Sequence, residues 1–320
     1  MLVGRGLCSR RKPHCGRSRA PALVSPAFLC KIDFHGKGVK SIITDMHTHF
    51  VTYDNLKPKL IEDMARCGMD PTVWDITEDD YIHGTSAADK TVVFGMRAKA
   101  AGWDVDDERV AAFAAKDGRY IFFASVDPVE KGYMERLRYA HEKQKCSGLK
   151  LSAFYQGVHP HDPRYYEIYS YCEKHGLPII SHTAAAYNSG LYLDYARPIH
   201  MDKVACDFPG LNIILAHLGH PWIEETIALI RKQPNLYSDI SALYYRPWQF
   251  YNAMRVLEEY KAQGKVFFGS DFPVCTTKDS INGLKGVNKA VEGTGLPPVS
   301  SGVIDEILYS DAVSIIISGS

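Results

Sequence analysis

Residues 42–50 read IITDMHTHF, a short apolar run followed by His47 and His49. Side chains at positions i and i+2 of a strand point to the same face. If residues 42–46 form a buried strand, its carboxyl end directs two imidazoles toward one point. A single His-x-His is also compatible with a polar strand end whose histidines are solvated or hydrogen-bonded. The rest of the chain has to distinguish these two interpretations.

From residue 41 onward, short β-branched or aromatic runs alternate with longer amphipathic segments. The eight candidate strands are 42–46, 91–95, 120–126, 148–151, 178–182, 212–217, 236–240 and 265–270. Helical patterns cover 107–116, 130–143, 164–175, 199–207, 222–232, 248–262 and 278–291.

Strands that alternate with helices predict parallel βαβ units. Eight such units in the 280 residues from 41 to 320 match an α/β fold of the (β/α)8 TIM-barrel type. An open doubly wound sheet is the alternative architecture. Because no Gly-x-Gly-x-x-Gly follows any candidate strand, nucleotide binding has no support in the sequence.

The composition is that of a globular protein, with 46% hydrophobic and 23% charged residues. Lys+Arg and Asp+Glu balance at 37 each, so the net charge favours neither nucleic acid nor an anionic membrane as a partner. No apolar run approaches the roughly 18 residues that a membrane-spanning helix needs. The 8 cysteines include no Cys-x-x-Cys pair, which fits a reducing compartment. We therefore expect a cytoplasmic protein that acts on a small molecule.

The first forty residues differ in kind from the remainder. Residues 1–32 carry seven Lys or Arg side chains and no acidic one, and prolines interrupt their apolar patch. We predict that residues 1–40 are a disordered basic extension and that residues 41–320 form the barrel. The extension has the composition of an organellar transit peptide, or it is translated sequence from upstream of the natural start. Residues 51–90 are predicted to be an insertion near the barrel mouth.

The carboxyl ends of barrel strands are where TIM-barrel chemistry is located. Reading those ends in chain order gives four histidines, a lysine and an aspartate: His47, His49, Lys150, His182, His217 and Asp271. Each follows an apolar run, where an unpartnered charge would be costly. Imidazole nitrogen and carboxylate oxygen are suitable ligands for Zn²⁺, Mn²⁺ or Fe²⁺. The sequence therefore predicts a metal site at the barrel mouth.

Five segments carry a resemblance to a known family: DMHTHF, GLKL, LPIISHT, ARPIHMDKVACDFPGLNIILAHLGHPW and FFGSDFP. Together they resemble the amidohydrolase-related family, the branch of the amidohydrolase superfamily that contains aminocarboxymuconate-semialdehyde decarboxylase and related aromatic-acid decarboxylases. The similarity extends from about residue 41 to the C-terminus, where ILYSDAVSII stands in place of the family's ILxxNAxxLL pattern. These motifs are specific for the family and much less specific for a substrate.

The resemblance implies one catalytic divalent ion, with Zn²⁺ as the first expectation and Mn²⁺ or Fe²⁺ as alternatives. The implied ligands are the histidines of strands one and five and the aspartate of strand eight: His47, His49, His182 and Asp271. The strand-six histidine, His217, is implied to act as acid/base, so His217 and Asp271 are the predicted catalytic residues. Some superfamily members carbamylate a strand-four lysine that bridges two ions. Lys150 therefore leaves a binuclear site as the alternative to one ion with Lys150 supporting the site or the substrate.

Other residues after strand ends are candidates for binding substrate. Arg97, Arg197 and Arg246 could each clamp a carboxylate through two hydrogen bonds, or each is an ordinary loop arginine. Tyr244 belongs to the aromatic segment 244–248, which follows strand seven. This segment either forms a wall for an aromatic substrate or packs at the start of the next helix.

The remaining polar residues near strand ends have weaker signals. Asp239 ends strand seven and either orients His217 or a metal ligand, or caps the following helix. His159 and His161 form a second His-x-His, but prolines and a glycine surround it, so we predict a loop that no strand directs inward. His220 follows a glycine and is expected to be a loop or capping residue.

These features favour a metal-dependent hydrolase that acts on a small organic acid, ester or amide through a metal-activated water, with His217 moving the proton. The same ligand set serves non-oxidative decarboxylation, so a carboxy-lyase acting on an aromatic or semialdehyde carboxylic acid is the alternative. A non-catalytic metal-binding barrel is the second alternative, although it would not need a spare histidine at the mouth. A homodimer that buries exposed aromatic residues is compatible with the sequence.

Overall fold

The structure, a computed structural model, describes residues 41–317. Its strands are β1 (Thr44–His49), β2 (Lys90–Phe94), β3 (Arg97–Ala98), β4 (Trp103–Asp104), β5 (Tyr120–Ser125), β6 (Leu149–Leu151), β7 (Ile179–Ser181), β8 (Ile213–Leu215), β9 (Leu236–Asp239) and β10 (Val266–Phe267). Eight of them form one parallel sheet in the order β1-β2-β5-β6-β7-β8-β9-β10. The short pair β3 and β4 is antiparallel and separate from that sheet.

The sheet curves until its two edge strands meet. The Met46 amide donates to the Phe268 carbonyl at 3.0 Å, and the His49 amide donates to the Phe272 carbonyl at 2.7 Å. Thr48 and Phe272 also form a parallel bridge. Closing the sheet in this way satisfies edge groups that would otherwise remain unpaired. The predicted (β/α)8 TIM barrel is confirmed.

Helices connect the strands and pack around the barrel. They are α1 (Pro58–Arg66), α2 (Glu78–Gly84), α3 (Asp107–Ala114), α4 (Tyr133–Glu142), α5 (Ala153–Gln156), α6 (Pro163–His175), α7 (His200–Asp207), α8 (Ile223–Lys232), α9 (Pro247–Tyr260), α10 (Thr277–Lys285), α11 (Ser301–Leu308) and α12 (Ala312–Ile316). Asp, Ser or Thr caps many of them, as at Asp162 before α6 and Thr276 before α10. Within residues 41–317, no helix is both long enough and apolar enough to cross a lipid bilayer.

Apolar side chains fill the barrel interior, and a second apolar layer lies between strands and helices. The interior cluster includes Met46, Val92, Phe94, Phe123, Ile180, Ile214 and Phe267, which are all fully buried. Each such side chain contributes roughly 1.5–3 kcal/mol relative to full exposure. This packed interior forms a floor beneath the polar groups at the carboxyl ends of the strands.

Three local features differ from the sequence-based prediction. The first strand extends through His49 rather than ending at residue 46, because Thr48 and His49 continue its parallel pairing with β2. The pair β3 and β4 was not predicted. The helix predicted over 278–291 is α10 followed by a 3₁₀ turn at Val287–Val291, with Gly286 between them. Glycine inside a helix is less stable than alanine by about 1 kcal/mol, so ending the helix at Gly286 loses little free energy of folding.

The segment between β1 and β2, predicted as an insertion near the barrel mouth, is largely helical. It contains α1, α2 and two short 3₁₀ turns, Tyr53–Asn55 and Pro71–Trp74. Met69 and Trp74 of this segment line the cavity described below. The predicted basic extension, residues 1–40, lies outside the described residues.

Candidate active site

Three side chains from the two strands that close the barrel converge at its mouth. His47 and His49 lie on β1, and Asp271 follows β10. The Nε2 atom of His47 is 3.4 Å, and that of His49 3.3 Å, from the same Oδ1 atom of Asp271. One ligand atom from each residue lies within 4.8 Å of the other two. Two imidazoles and a carboxylate in this arrangement can share one divalent ion.

The local sequence holds these three groups against each other. The buried carboxylate of Asp45 accepts from the Ser270 amide at 2.9 Å and from the Thr277 hydroxyl at 2.6 Å, which ties β1 to the segment after β10. A Cβ atom at Gly269 would lie 2.9 Å from Cβ of His47, so this close approach requires glycine. Asp271 itself has a φ of 64°, a strained conformation for a non-glycine residue that is typical of functional sites.

Asp239, at the end of β9, orients two histidines at once. Its Oδ2 atom lies 2.8 Å from Nδ1 of His47, and its Oδ1 atom accepts from the backbone amide of His217 at 3.0 Å. Because a carboxylate accepts, the ring proton of His47 is on Nδ1 and its Nε2 lone pair faces Asp271. This contact agrees with the sequence-based interpretation in which Asp239 orients a metal ligand.

Ser241 fixes the orientation of His217. The Ser241 hydroxyl donates to Asp239 Oδ1, and its Oγ atom lies 2.8 Å from Nδ1 of His217. The Ser241 carbonyl oxygen, which can only accept, lies 3.3 Å from the same nitrogen. Nδ1 of His217 therefore carries the ring proton, and Nε2 keeps its lone pair. His217 has a φ of 60°, so the backbone turns sharply where this ring enters the site.

His182, after β7, lies beside His217 and is not part of the three-residue cluster among the described residues. Its Nδ1 atom is 3.2 Å from Nε2 of His217. Since His217 Nε2 has no proton, His182 Nδ1 is the donor, and His182 Nε2 keeps a lone pair. His182 Nε2 and His49 Nδ1 are buried nitrogens without a hydrogen-bond partner among residues 41–317. His49 Nδ1 is on the opposite side of its ring from Nε2, the nitrogen that faces Asp271. The unsatisfied Nε2 atom of His182, beside the His–His–Asp cluster, fits a metal ion as the missing partner.

Lys150, on β6, is fully buried beneath the cluster. Its Nζ atom lies 2.9 Å from Nε2 of His47 and 4.8 Å from the centre of the Phe94 ring. The lysine therefore approaches the nitrogen that the predicted ion would use. This position fits both predictions for Lys150, namely support of a single ion or a bridge between two.

Burial sets the protonation of the site. It lowers the pKa values of His47, His49 and His217 well below the ordinary value, and it lowers that of His182 to about 3. Lys150 reinforces the lowering at His47, His49 and His182. These imidazoles are therefore neutral near pH 7, which is the form that binds metals.

The pKa values of Asp271 and Lys150, whose charges are opposite, shift in opposite directions. Burial raises the pKa of Asp271 to about 7, against the lowering effect of Lys150. Burial also lowers the pKa of Lys150 to about 8, although Asp239 and Asp271 oppose this shift. A bound cation at the cluster would stabilise the Asp271 carboxylate.

A cavity of about 110 Å³ opens above these residues. His49, His182, His217 and Asp271 contribute to its lining. Its walls are apolar and include five aromatic side chains: Trp74, Trp103, Tyr155, Tyr187 and Tyr245. Arg246 is the arginine that lines it. An aromatic cavity with one cationic group and a polar floor suits a small, flat, anionic ligand.

The other substrate-binding candidates lie elsewhere. The Arg97 guanidinium pairs with Glu130 at 2.8 Å, and that of Arg197 pairs with Glu225 at 2.6 Å. Tyr244 donates to the Gly269 carbonyl at 2.7 Å. None of these three is among the described residues that line the cavity. Their role in substrate binding therefore gains no support from the geometry, whereas the position of Arg246 supports its role.

Sequence reasoning missed Ser241 and most of the aromatic wall. Ser241 follows Asp239 by two residues, so an Asp-x-Ser at a strand end was an available signal. Trp103 lies on β4, whereas Tyr155 lies on the four-residue helix α5. Tyr187 lies in an irregular segment. Such short elements have no periodicity that could reveal which residues face the cavity.

Comparison with known proteins agrees with the fold. The sequence profile of an amidohydrolase family matches residues 44–309. No curated protein sequence matches the chain significantly.

Three solved structures illustrate the structural similarity. One is 5-carboxyvanillate decarboxylase from Sphingomonas paucimobilis, with a TM-score of 0.61, 12% identity, and coverage of 87% of this chain and 99% of that chain. Another is a probable 2-pyrone-4,6-dicarboxylic acid hydrolase from Acinetobacter baumannii with citric acid bound, with a TM-score of 0.58, 15% identity, and coverage of 86% and 99%. A dihydroxybenzoic acid decarboxylase from Polaromonas, with bound manganese and the inhibitor 2-nitroresorcinol, has a TM-score of 0.59, 13% identity, and coverage of 88% and 98%.

The barrel and the His-x-His pair at its mouth define the class of protein. The chain belongs to the amidohydrolase family whose profile spans these elements. The resemblance inferred from the sequence motifs is thereby confirmed.

Proposed function

We propose that the chain is a metal-dependent carboxy-lyase that removes CO2 from a small aromatic carboxylic acid. The observation that carries the proposal is the cavity, in which aromatic walls and Arg246 face a floor of His49, His182, His217 and Asp271. A flat aromatic ring fits between such walls, and a guanidinium pairs with a carboxylate. Two similar structures are decarboxylases of aromatic acids, which supports the same reaction class.

We propose that His47, His49, His182 and Asp271 hold one divalent ion, Zn²⁺ or Mn²⁺. The approach of the His47 and His49 Nε2 atoms to Asp271 Oδ1 and the unpartnered Nε2 atom of His182 support this ligand set. The manganese in the structurally similar dihydroxybenzoic acid decarboxylase supports Mn²⁺ as a candidate. When bound, the ion supplies Lewis-acid stabilisation of negative charge on the substrate.

The residues of the chain then perform three tasks. The aromatic walls hold the ring and exclude water, while Arg246 orients an anionic substituent. Decarboxylation breaks the bond between the ring carbon and the carboxylate, releases CO2 and leaves a carbon that needs one proton. The Nε2 lone pair of His217, which accepts a hydrogen bond from Nδ1 of His182, takes up one H⁺ from solvent and passes it to that carbon, so each turnover consumes one proton and releases one CO2. Because burial lowers the pKa of His217, its protonated form gives up the proton readily.

Hydrolysis is the second candidate function, because the probable 2-pyrone-4,6-dicarboxylic acid hydrolase has a similar fold. In that reaction the lone pair of His217 Nε2 would take a proton from the attacking water. The same residues serve both reactions, so the products must distinguish them.

The test uses the full chain, stripped of metal by chelation and reloaded with Zn²⁺ or Mn²⁺. A panel of hydroxylated and methoxylated benzoic acids, lactones and anilides is followed by CO2 detection and by pH change. We expect metal-dependent CO2 release from at least one aromatic acid, and its loss in His182→Ala. Acid release from a lactone or anilide without CO2 would instead support the hydrolase.

A further inference from the structure

A second cluster of metal-ligand side chains lies outside the candidate active site. It consists of His159, which follows α5, Asp194, in the 3₁₀ turn Leu193–Ala196, and His200, the first residue of α7. One ligand atom from each lies within 4.8 Å of the other two. The candidate active site uses none of them. His159 of the His159-x-His161 motif thus lies beside Asp194 and His200, which are distant from it in the sequence.

The distances approach those of a metal site. The Nε2 atom of His200 is 3.0 Å from an Oδ2 atom of Asp194, and the ring centres of His159 and His200 are 4.6 Å apart. Ligands about 2.0–2.1 Å from a tetrahedral Zn²⁺ lie roughly 3.3 Å from each other. The ligand atoms, which lie within 4.8 Å of one another, therefore have to approach by at most about 1.5 Å. Asp194 is exposed and both histidines are only partly buried, so their side chains can rotate to do so.

His161 holds the two segments together before any ion binds. Its Nε2 atom donates to the His200 carbonyl at 2.7 Å, which attaches the loop after α5 to the start of α7. Its amide also donates to Nδ1 of His159 at 3.1 Å. An ion bound by His159 must displace this second contact, a weak hydrogen bond between neutral groups. The first contact remains and keeps the site in place.

The charge of the cluster favours a cation, because it combines two imidazoles with one carboxylate. The Asp194 carboxylate supplies a negative charge that partly offsets that of a divalent ion.

We propose that His159, Asp194 and His200 form a second site for a divalent transition-metal ion, Zn²⁺, with water completing the coordination. Two imidazoles and one carboxylate are a ligand set suited to this ion. His161 is a positioning residue. A bound ion would cross-link the segment after α5 to the start of α7.

The experiment measures zinc bound per chain in the full-length protein. Metal-free wild type, Asp194→Asn and His200→Ala are dialysed to equilibrium against buffered Zn²⁺ over a range of free concentrations. Bound zinc is then measured by mass spectrometry. We expect each variant to bind one equivalent less than wild type at concentrations where the wild-type site is filled. Because Asp194 is exposed, its substitution is expected to leave circular dichroism unchanged.

The matched control is the double variant His141→Ala with His175→Ala. Those two rings are 5.1 Å apart but belong to no metal-ligand cluster among the described residues. We expect it to bind as much zinc as wild type. The proposal would be overturned if Asp194→Asn or His200→Ala bound as much zinc as wild type at every concentration. It would also be overturned if the control variant lost as much zinc as these two variants. If the barrel mouth binds no ion, wild type should still bind one equivalent of zinc, and Asp194→Asn should bind none. Failure of the metal site at the barrel mouth can therefore be distinguished from failure of this second site.

Discussion

The Oγ atom of Ser241 lies 2.8 Å from Nδ1 of His217 and determines which nitrogen of that ring faces the cavity. Because the Ser241 hydroxyl donates to Asp239, it can only accept from His217. Asp239 also contacts Nδ1 of His47 at 2.8 Å. One carboxylate thus orients both a predicted metal ligand and the predicted acid/base.

Replacing Ser241 with alanine should slow the reaction without removing the metal. The variant loses the hydroxyl that fixes the ring of His217. Ring orientations in which Nδ1 instead of Nε2 faces the cavity then become populated. We expect kcat to fall about 10- to 100-fold, or roughly 1.4–2.7 kcal/mol of barrier, with KM and metal content near wild type. Nitrogen-15 NMR of the histidine rings should show less of the Nδ1-protonated form of His217.

Ser238→Ala is the matched control for that experiment. Ser238 is also buried on β9, but its hydroxyl donates to the Leu215 carbonyl and does not orient His217. Its substitution should leave the His217 ring unchanged. An unaltered NMR signal and kcat in Ser241→Ala would contradict the orienting role.

His217 and His182 should respond differently to substitution by alanine. His217→Ala should keep its metal and lose about 10²–10⁴-fold in rate, which is the usual contribution of general acid–base catalysis. His182→Ala should lose both metal and activity. Metal analysis of both purified variants decides the point. Within the barrel site, two ions in wild type and one in His217→Ala would instead indicate a binuclear site bridged through Lys150.

Arg246 should contribute to substrate binding and Arg197 should not. Arg246→Ala removes the arginine that lines the cavity, so KM for an aromatic acid should rise about 10- to 100-fold, consistent with a lost hydrogen bond to a charged group. Arg197→Ala is the control, because that guanidinium pairs with Glu225 outside the cavity. Steady-state kinetics of both variants measure the effect. Equal KM values would remove Arg246 from the site.

Asp107 should make stability depend on pH. Both of its carboxylate oxygens accept from the Ser125 amide at 3.1 Å, and burial raises its pKa from 3.8 to about 7. The folded protein therefore binds a proton more tightly than the unfolded chain does, and this contribution is lost as pH rises toward 7. Between about pH 4 and 7, the free energy of unfolding should fall relative to that of Asp107→Asn by up to about 1.4 kcal/mol per pH unit. Urea unfolding of both proteins at several pH values tests this, and parallel pH profiles would contradict it.

The fold was predictable because its signals are periodic. Each predicted barrel strand overlaps an observed one, since buried parallel strands are short apolar runs separated by amphipathic helices. The polar residues after those runs were visible for the same reason. His47 and His49 stood out because an apolar run precedes them, although the strand extends through both of them.

The unpredicted part depends on contacts between distant segments. Ser241 matters only because Asp239 and His217 meet across neighbouring strands. Arg97 and Arg246 both follow strand ends, yet only the second reaches the cavity, since Glu130 binds the first. Such choices are made by tertiary packing and have no local sequence signal.

The central claim, decarboxylation at this site, is tested most directly by running the reaction in D2O with an aromatic acid that the metal-loaded protein consumes. Mass spectrometry and proton NMR of the product identify the new bond at the carbon that carried the carboxylate. The account predicts one deuterium at that carbon and one CO2 per product molecule, with both lost in His182→Ala. Consumption of the substrate with its carboxylate retained, no carbon–deuterium bond and no CO2 would contradict it.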